Sequence, residues 1–203
     1  MSKTATICAV KTSNLPRGEG FGVLTPKEVS DFWDPHVWAG PRQVLEEDTS
    51  FKQIIPYVII NTPDGYMTYT RGTAGAEGRL HDLVSIGIGG HVDVADAVLD
   101  KDGSINFMDT VFAGARRELQ EEIGVTPPPG DILVIGLIQS MDAPVDSVHL
   151  GVVMIWDATA FLENGGKFCF EETMELPRFF TKRQLKMGNS DLESWTQKVL
   201  VLL

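Results

Sequence analysis

Residues 116–125 read Arg-Arg-Glu-Leu-Gln-Glu-Glu-Ile-Gly-Val and carry the strongest structural signal in this chain. On an α-helix, which turns about 100° per residue, Glu121 and Glu122 follow Glu118 by three and four places, so the three carboxylates share one face. Carboxylates at this spacing repel one another unless a cation neutralises them. Mg²⁺ takes oxygen ligands and is commonly held by one or two carboxylates together with substrate phosphates. Taken alone, the pattern fits either a solvated acidic face or a magnesium site.

The same part of the chain predicts the helix itself. Its apolar residues recur at spacings of three and four and form a stripe that can lie on a sheet: Phe112, Ala115, Leu119 and Ile123. We expect Asp109 or Thr110 to cap the start of the helix, and Gly124 to supply the left-handed residue that ends it.

The residues from Arg117 to Val125 resemble the second half of the Nudix box, G-x5-E-x7-R-E-U-x-E-E-x-G-U, where U is an aliphatic residue. Every specified position of that half is met. The first half fits in two registers. In one of them, Gly103 and Asp109 stand at the positions of the family's glycine and glutamate.

In the other register, which we prefer, the glycine belongs to the pair Gly89-Gly90, because this pair ends an apolar run. Gly90 lies 27 residues before Arg117 and Gly103 lies 14 residues before it, so this register requires an insertion of 13 residues. We expect Asp100 to Gly103 to form the tip of the inserted loop. Both registers leave the helix unchanged and differ only in the glycine that approaches the metal.

The resemblance implies an α+β protein with the Nudix fold, a mixed β-sheet sandwiched between α-helices. It also implies metal-dependent hydrolysis of the diphosphate linkage in a nucleoside diphosphate linked to another moiety. Mg²⁺ is the expected cofactor, and Mn²⁺ could replace it. The diphosphate carries several negative charges, which divalent cations can neutralise while orienting the attacking water. The expected partner is therefore a small nucleoside diphosphate derivative.

The resemblance also assigns roles to individual residues. The expected metal ligands are three side chains and one backbone carbonyl: Glu118, Glu121, Glu122 and Gly90. Glu121 either shares the metal or, through a bound water, accepts the proton as general base, and Arg117 is expected to orient the carboxylates by bidentate pairing. The candidates for substrate binding precede or adjoin the glycine pair: Arg71, Arg79 and His91. A later carboxylate often joins the site in this family, and three are available: Glu171, Glu172 and Glu175.

Two other functions use this fold. A Nudix-type module can bind nucleotides without catalysis, although the helix carboxylates are all intact here. An isoprenoid-diphosphate isomerase would carry a catalytic cysteine in its pocket, and neither Cys8 nor Cys169 lies near the box in sequence. A metal-dependent assay of phosphate or mononucleotide release separates the three functions.

The composition sets wider limits. With 203 residues, 43% of them hydrophobic, the chain can bury a full core. The formal net charge of −11 argues against binding to a nucleic-acid backbone, and an acidic protein needs cations to hold a polyphosphate. No apolar run has membrane-spanning length and the start lacks a signal peptide, so we expect a soluble cytoplasmic protein without membrane partners. Its two cysteines are expected to be reduced.

We divide the chain at residue 52. Residues 1–52 are expected to form an N-terminal extension that packs on the core or builds a homodimer, and residues 53–203 the Nudix hydrolase domain. Apolar and β-branched runs predict strands in the second part at residues 54–60, 66–71, 83–88, 132–139, 148–156 and 167–170. Helices are predicted from Thr25 to about Trp33, at residues 182–187, and from Leu192 onward.

Overall fold

The computed structural model describes residues 5–15, 35–71, 83–128, 130–139, 146–172, 174–188 and 192–203. Within these ranges the strands are β1 (Thr6–Lys11), β2 (Val37–Pro41), β3 (Phe51–Thr62), β4 (Gly65–Arg71), β5 (Val84–Ser85), β6 (Gly87–Ile88), β7 (Ile132–Ile138), β8 (His149–Asp157) and β9 (Met174–Phe180). The α-helices in the same ranges are α1 (Arg42–Leu45), α2 (Phe107–Ile123), α3 (Thr159–Glu163), α4 (Lys182–Met187) and α5 (Ser194–Val199). The strands form one mixed sheet, which confirms the predicted α+β class.

Strand β3 is the centre of this sheet. It runs parallel to β8, in a register from Gln53 opposite His149 to Asn61 opposite Asp157, and β7 is antiparallel to β8. The other pairings of β3 are with β1 near its start, β6 in its second half and β4 at its end. β2 extends the sheet beyond β1, while β5 and β9 pair with β4. β3 therefore pairs with four other strands and connects the parts of the sheet to one another.

The two faces of β3 bury different cores, because successive side chains of a strand point to opposite faces. Ile54 and Val58 are fully buried in a core that also contains Leu119 of α2. Tyr57 is buried in a second core that contains Val199 of α5. The sheet therefore lies between α2 on one face and α5 on the other, as expected for a sandwich.

Helix α2 is capped by Asn106, whose Oδ1 accepts a hydrogen bond from the backbone N–H of Asp109 at 2.9 Å. The prediction that Asp109 or Thr110 caps the helix is wrong. Asp109 lies in the first turn, and the hydroxyl of buried Thr110 instead accepts a bond from the N–H of Val98 at 3.0 Å. Gly124 ends the helix in the left-handed conformation, with φ 69° and ψ 21°, as predicted.

Most of the other predicted elements are confirmed. β3, β4, β7 and β8 match the runs predicted at residues 54–60, 66–71, 132–139 and 148–156, and the run at residues 83–88 is divided between β5 and β6. α4 matches the helix predicted at residues 182–187, and the C-terminal helix is the short α5. The helix predicted to start at Thr25 lies outside the described residues. None of the helices in the described ranges has the length and apolar character needed to cross a membrane.

The strand predicted at residues 167–170 is wrong. This segment instead pairs its backbone with the end of α2, where the Cys169 N–H donates to the Ile123 carbonyl at 2.9 Å and the Glu171 N–H donates to the Glu122 carbonyl at 2.8 Å. The strand comes later, as β9, which pairs with β4. A proline inside a run argues for an edge strand or against a strand, and β9 contains one.

Strands β1 and β2 and helix α1 belong to the predicted N-terminal extension. β1 pairs with β3 through Ala9 opposite Gln53 and Lys11 opposite Phe51. The extension therefore contributes strands to the same sheet as the rest of the chain. The division of the chain at residue 52 stays a prediction.

A buried hydrogen-bond network fixes α5 against the sheet. Glu193 Oε1 accepts bonds from the hydroxyls of Tyr57 at 2.7 Å and Ser85 at 2.6 Å. The hydroxyl of Thr196 lies 2.9 Å from that of Tyr57. Burial, with the nearby charge of Glu193, raises the pKa of Tyr57 well above its usual value, so its hydroxyl remains a donor. A Cβ at Gly87 would overlap the Tyr57 ring.

We expect Gly87→Ala to lower the free energy of unfolding by about 2 kcal/mol or more, because the added methyl displaces the Tyr57 ring from its bonds. Urea denaturation measures the change. Gly40→Ala is the control, since a Cβ there makes an ordinary contact with Leu45 at 3.5 Å. Equal stability of the two variants would show that Tyr57 does not depend on this glycine.

Candidate active site

Arg117 of α2 is the centre of the candidate site. Its Nε donates to both carboxylate oxygens of Asp96, at 3.0 and 3.2 Å, and its Nη2 donates to Asp96 Oδ2 at 3.0 Å. Nη1 donates to Glu118 Oε1 at 2.7 Å and to Glu121 Oε2 at 3.0 Å. Nη2 also donates to the carbonyl of His91 at 2.9 Å. The rigid fork of guanidinium donors therefore fixes three carboxylates and one loop carbonyl around itself.

The sequence analysis did not identify Asp96, although the spacing of the box indicates an acidic residue at this position. Five residues separate Gly90 from Asp96, which is the spacing of the glycine and the acidic residue in the first half of the box. Asp96 ends a 3₁₀ turn at Val94–Asp96 and accepts a bond from the Asp93 N–H at 2.9 Å, while Asp93 Oδ1 accepts one from the Ala95 N–H. These reciprocal caps fix the turn that presents Asp96 to the arginine.

The insertion follows Asp96. Twenty residues separate Asp96 from Arg117 where the box has seven, and the difference is the predicted 13. Gly103 is exposed with φ 86°, and a Cβ there would meet nothing within 4 Å. A Cβ at Gly90, by contrast, would lie 2.5 Å from Glu118 Oε1. Gly90 is therefore the glycine beside the carboxylates, as the preferred register requires.

Burial governs the electrostatics of Glu118, whose side chain is 9% exposed. Burial raises the pKa of this carboxyl, and the charge and hydrogen bond of Arg117 oppose the rise. Burial also acts against the charge of Arg117, but the bonds and charges of Asp96 and Glu118 outweigh it and raise the pKa of the guanidinium. Arg117 therefore stays charged, and a second cation beside Glu118 would further stabilise the carboxylate form.

The other two helix carboxylates differ in exposure. The side chain of Glu121 is 57% exposed, whereas Glu122 is half-buried next to the segment that carries Glu171. Within the described ranges, no three His, Cys, Asp or Glu side chains form a ready set of metal ligands. The residues still fit Mg²⁺, because this ion needs one or two carboxylates and completes its shell with water and substrate oxygens. The missing Cβ of Gly90 also leaves open the space beside Glu118.

Of the three predicted substrate-binding residues, the structure describes the side chain of one, His91. The ring of His91 contacts that of His149, with 3.1 Å between their Nε2 atoms. Burial, together with the charges of Arg42 and His149, lowers the pKa of His91 to about 2, so the ring is neutral. Arg71 is the last residue of β4, and Arg79 lies outside the described residues. Phosphate binding by these three residues stays a prediction.

Both cysteines are free, with Cys8 buried and Cys169 exposed. Burial, with the charges of Asp96 and Asp93, raises the pKa of Cys8 to about 12, so this thiol is not activated for nucleophilic attack. Cys169 packs against the end of α2, where a Cβ on Gly124 would lie 3.1 Å from its own Cβ.

Comparison with known proteins gives a consistent result. No family model matches the chain. The chain is 32% identical over 166 residues to Protein YmaB of Bacillus subtilis (strain 168), which covers 80% of this chain and 76% of YmaB. The crystal structure of Tm1382, a candidate Nudix hydrolase, matches with a TM-score of 0.74 and 26% identity over 97% of both chains.

A more distant match shares the fold alone. It is a bifunctional NMN adenylyltransferase/ADP ribose pyrophosphatase from Francisella tularensis, solved with AMP and a Mn ion. The TM-score is 0.50 at 13% identity, and the match covers 75% of this chain and 41% of that chain.

The mixed sheet between helices is that of a Nudix fold, the fold predicted from the box residues. The chain belongs to the Nudix hydrolase family.

We expect Asp96→Asn to lower the free energy of unfolding by about 1–3 kcal/mol, because it removes the charge that accepts three bonds from Arg117. Urea denaturation at neutral pH measures the change. Asp109→Asn is the matched control, since Asp109 is exposed and occupies the acidic position only in the other register. A loss as large in the control would contradict the assignment of Asp96 to the box.

Proposed function

We propose that this protein hydrolyses the diphosphate linkage of a nucleoside diphosphate linked to another moiety, in a reaction that depends on Mg²⁺ or Mn²⁺. The observation that carries the proposal is the set of bonds around Arg117, which holds buried Glu118 beside Gly90 and keeps Glu121 on the same helix face. A merely solvated acidic helix would not bury one of its carboxylates and tie it to a loop.

The proposed metal ligands are three side chains and the carbonyl of the glycine at the loop: Glu118, Glu121, Glu122 and Gly90. A divalent ion bound by these groups would neutralise the diphosphate and lower the pKa of the attacking water. Arg117 is a positioning residue here, because its donors are already engaged with Asp96, the two glutamates and the His91 carbonyl. Glu121 is the proposed general base, since it is the most exposed of the three carboxylates and can reach a water molecule.

Glu171 is the proposed additional carboxylate. Its backbone N–H donates to the carbonyl of Glu122 at 2.8 Å, which places this residue alongside the end of the acidic helix. Glu172 lies in the turn that follows, and Glu175 lies on β9 opposite Thr70 of β4. Of the three late carboxylates, Glu171 is therefore the one tied directly to the box helix.

The two rival functions have less support. Loss of catalysis would be expected to damage the box, yet the arginine and all three glutamates are present, and Arg117 bonds to two of them. An isomerase of isoprenoid diphosphates would need an activated thiol, and burial raises the pKa of Cys8 to about 12. A panel of nucleoside diphosphate derivatives assayed with Mg²⁺ and with Mn²⁺ tests the proposal against both.

We expect Glu122→Gln to reduce metal-dependent turnover about 100-fold or more, because changes even to groups behind the metal ligands cost up to about 100-fold. Release of mononucleotide with Mg²⁺ measures the loss, and circular dichroism checks that the fold is intact. Glu163→Gln, a change at an exposed carboxylate of α3, is the control. Near-normal turnover in folded Glu122→Gln would refute the metal-ligand assignment.

We expect Glu171→Gln to raise the Mg²⁺ concentration needed for half-maximal turnover by about 10-fold, and Glu172→Gln to leave it unchanged. The two substitutions remove the same charge from adjacent exposed residues, so a general electrostatic effect would shift both curves equally. Titration of turnover with Mg²⁺ distinguishes the two results. Equal shifts would show that Glu171 has no special place in the site.

A further inference from the structure

Two buried histidines contact each other next to the loop at residues 89–92, which carries the glycine pair. His91 belongs to this loop and His149 begins β8, 58 residues later. Their Nε2 atoms lie 3.1 Å apart, and both side chains are buried. The proposed function assigns no role to His149, so the reason for this contact is open to inference.

The contact between the two rings is a hydrogen bond. The ring of His91 is neutral, because burial and the nearby charges of Arg42 and His149 lower its pKa to about 2. The Nε2 of a neutral imidazole either donates or accepts, so at 3.1 Å it bonds to the Nε2 of His149. Breaking this bond would leave a buried polar atom without its partner, which is costly. The bond therefore holds the His91 ring in one position.

His149 is the firmly held member of the pair. It lies opposite Gln53 in the parallel pairing of β8 with β3, and its carbonyl accepts a bond from Lys52 Nζ at 3.4 Å. Leu150, the next residue of β8, is fully buried in the core that contains Leu119 of α2. The sheet therefore fixes His149, and His149 in turn fixes the ring of a loop residue.

The backbone of His91 connects this bond to the proposed metal site. Its carbonyl accepts from Arg117 Nη2 at 2.9 Å. The same guanidinium donates to Glu118 at 2.7 Å and to Glu121 at 3.0 Å. Gly90, the residue before His91, is so close to the site that a Cβ there would lie 2.5 Å from Glu118 Oε1. An unbroken series of bonds thus leads from β8 to the carboxylates.

The other bonds of this loop act one residue further along the chain. The N–H of Val92 donates to the Ile54 carbonyl at 3.1 Å, and the Val92 carbonyl accepts from the N–H of Cys8 at 2.8 Å. Both bonds fix Val92. Glycine has the widest choice of backbone conformations, so the direction of the Gly90 carbonyl depends on what holds its neighbours. On the C-terminal side that neighbour is His91.

We propose that His149 is a positioning residue for the metal site, because its bond to the His91 ring fixes the backbone of residues 90 and 91. This fixed backbone places the Gly90 carbonyl and the pairs that Arg117 makes with the carboxylates. The inference rests on the function proposed above and adds to it a residue that lies outside the box. Partners that orient metal ligands from behind change metal affinity by about 10- to 100-fold. His149 itself touches neither metal nor substrate.

Titration of the full-length protein with Mn²⁺ alone, followed by the electron paramagnetic resonance of the free ion, tests the proposal without any turnover. We expect His149→Phe to raise the Kd for Mn²⁺ about 10-fold, because phenylalanine keeps the volume of the ring but not its hydrogen bond. His149→Gln should restore most of the affinity, since its amide can bond to the His91 ring. His36→Phe, at an exposed histidine, is the matched control. Equal Kd values for the wild type and folded His149→Phe would overturn the proposal.

His91→Phe removes the same bond from the side of the loop and gives the test if His149→Phe does not fold. If His149 acts through His91, the double variant should bind Mn²⁺ as weakly as each single variant, because one bond can be lost only once. Independent effects would instead multiply to a loss of about 100-fold in the double variant. Such a loss would show that His149 does not act through His91 and would overturn the proposal.

The outcomes separate this proposal from the proposed hydrolysis. Metal-dependent turnover by the wild type, with Mn²⁺ binding that His149→Phe leaves unchanged, would refute the positioning role and leave hydrolysis standing. Mn²⁺ binding that His149→Phe weakens and His149→Gln restores, without turnover of any derivative, would refute hydrolysis and leave the positioning role standing. A wild-type protein that binds no Mn²⁺ would refute both.

Discussion

The site depends on one guanidinium group. Arg117 is largely buried, with 24% of its side chain exposed, and a buried charge is stable only when its donors are paired. Asp96, Glu118 and Glu121 together with the His91 carbonyl supply that pairing. These partners come from two distant parts of the chain, so the arginine fixes the glycine loop and the acidic helix relative to each other. The three carboxylates are therefore held in the positions in which they pair with the charge of Arg117.

The loop that contains Gly89 and Gly90 is positioned by a second constraint, which is its contact with strand β3. A Cβ at Gly89 would overlap the carbonyl of Pro56 in β3, and the N–H of Val92 donates to the Ile54 carbonyl at 3.1 Å. The loop can approach β3 this closely only because it lacks side chains at the contact. Since β3 also pairs with β8, this contact fixes the loop to the strand at the centre of the sheet.

The sequence was sufficient where a local pattern decides the structure. The stripe that includes Leu119, the left-handed Gly124 and the box residues predicted α2, its end and its acidic face, because these depend on residues within a few turns. Asp96 was missed although it follows Gly90 at the spacing of the box, because the insertion separates it from Arg117 in sequence and the bond between them is tertiary. The pairing of Gln53 with His149 depends on strand register, which one sequence does not specify.

The insertion shows why the box tolerates a break between its two halves. Lengthening the connection from Asp96 to Arg117 from seven to 20 residues costs only about 1 kcal/mol of loop-closure entropy, because that cost grows with the logarithm of length. A single hydrogen bond between charged groups contributes about 1.5–3 kcal/mol, and the pair makes three. The loop also satisfies its own ends, through the caps at Asp93 and at Asn106. The pairing of Asp96 with Arg117 therefore outweighs the longer path, and the geometry of the site is kept although the motif is interrupted in sequence.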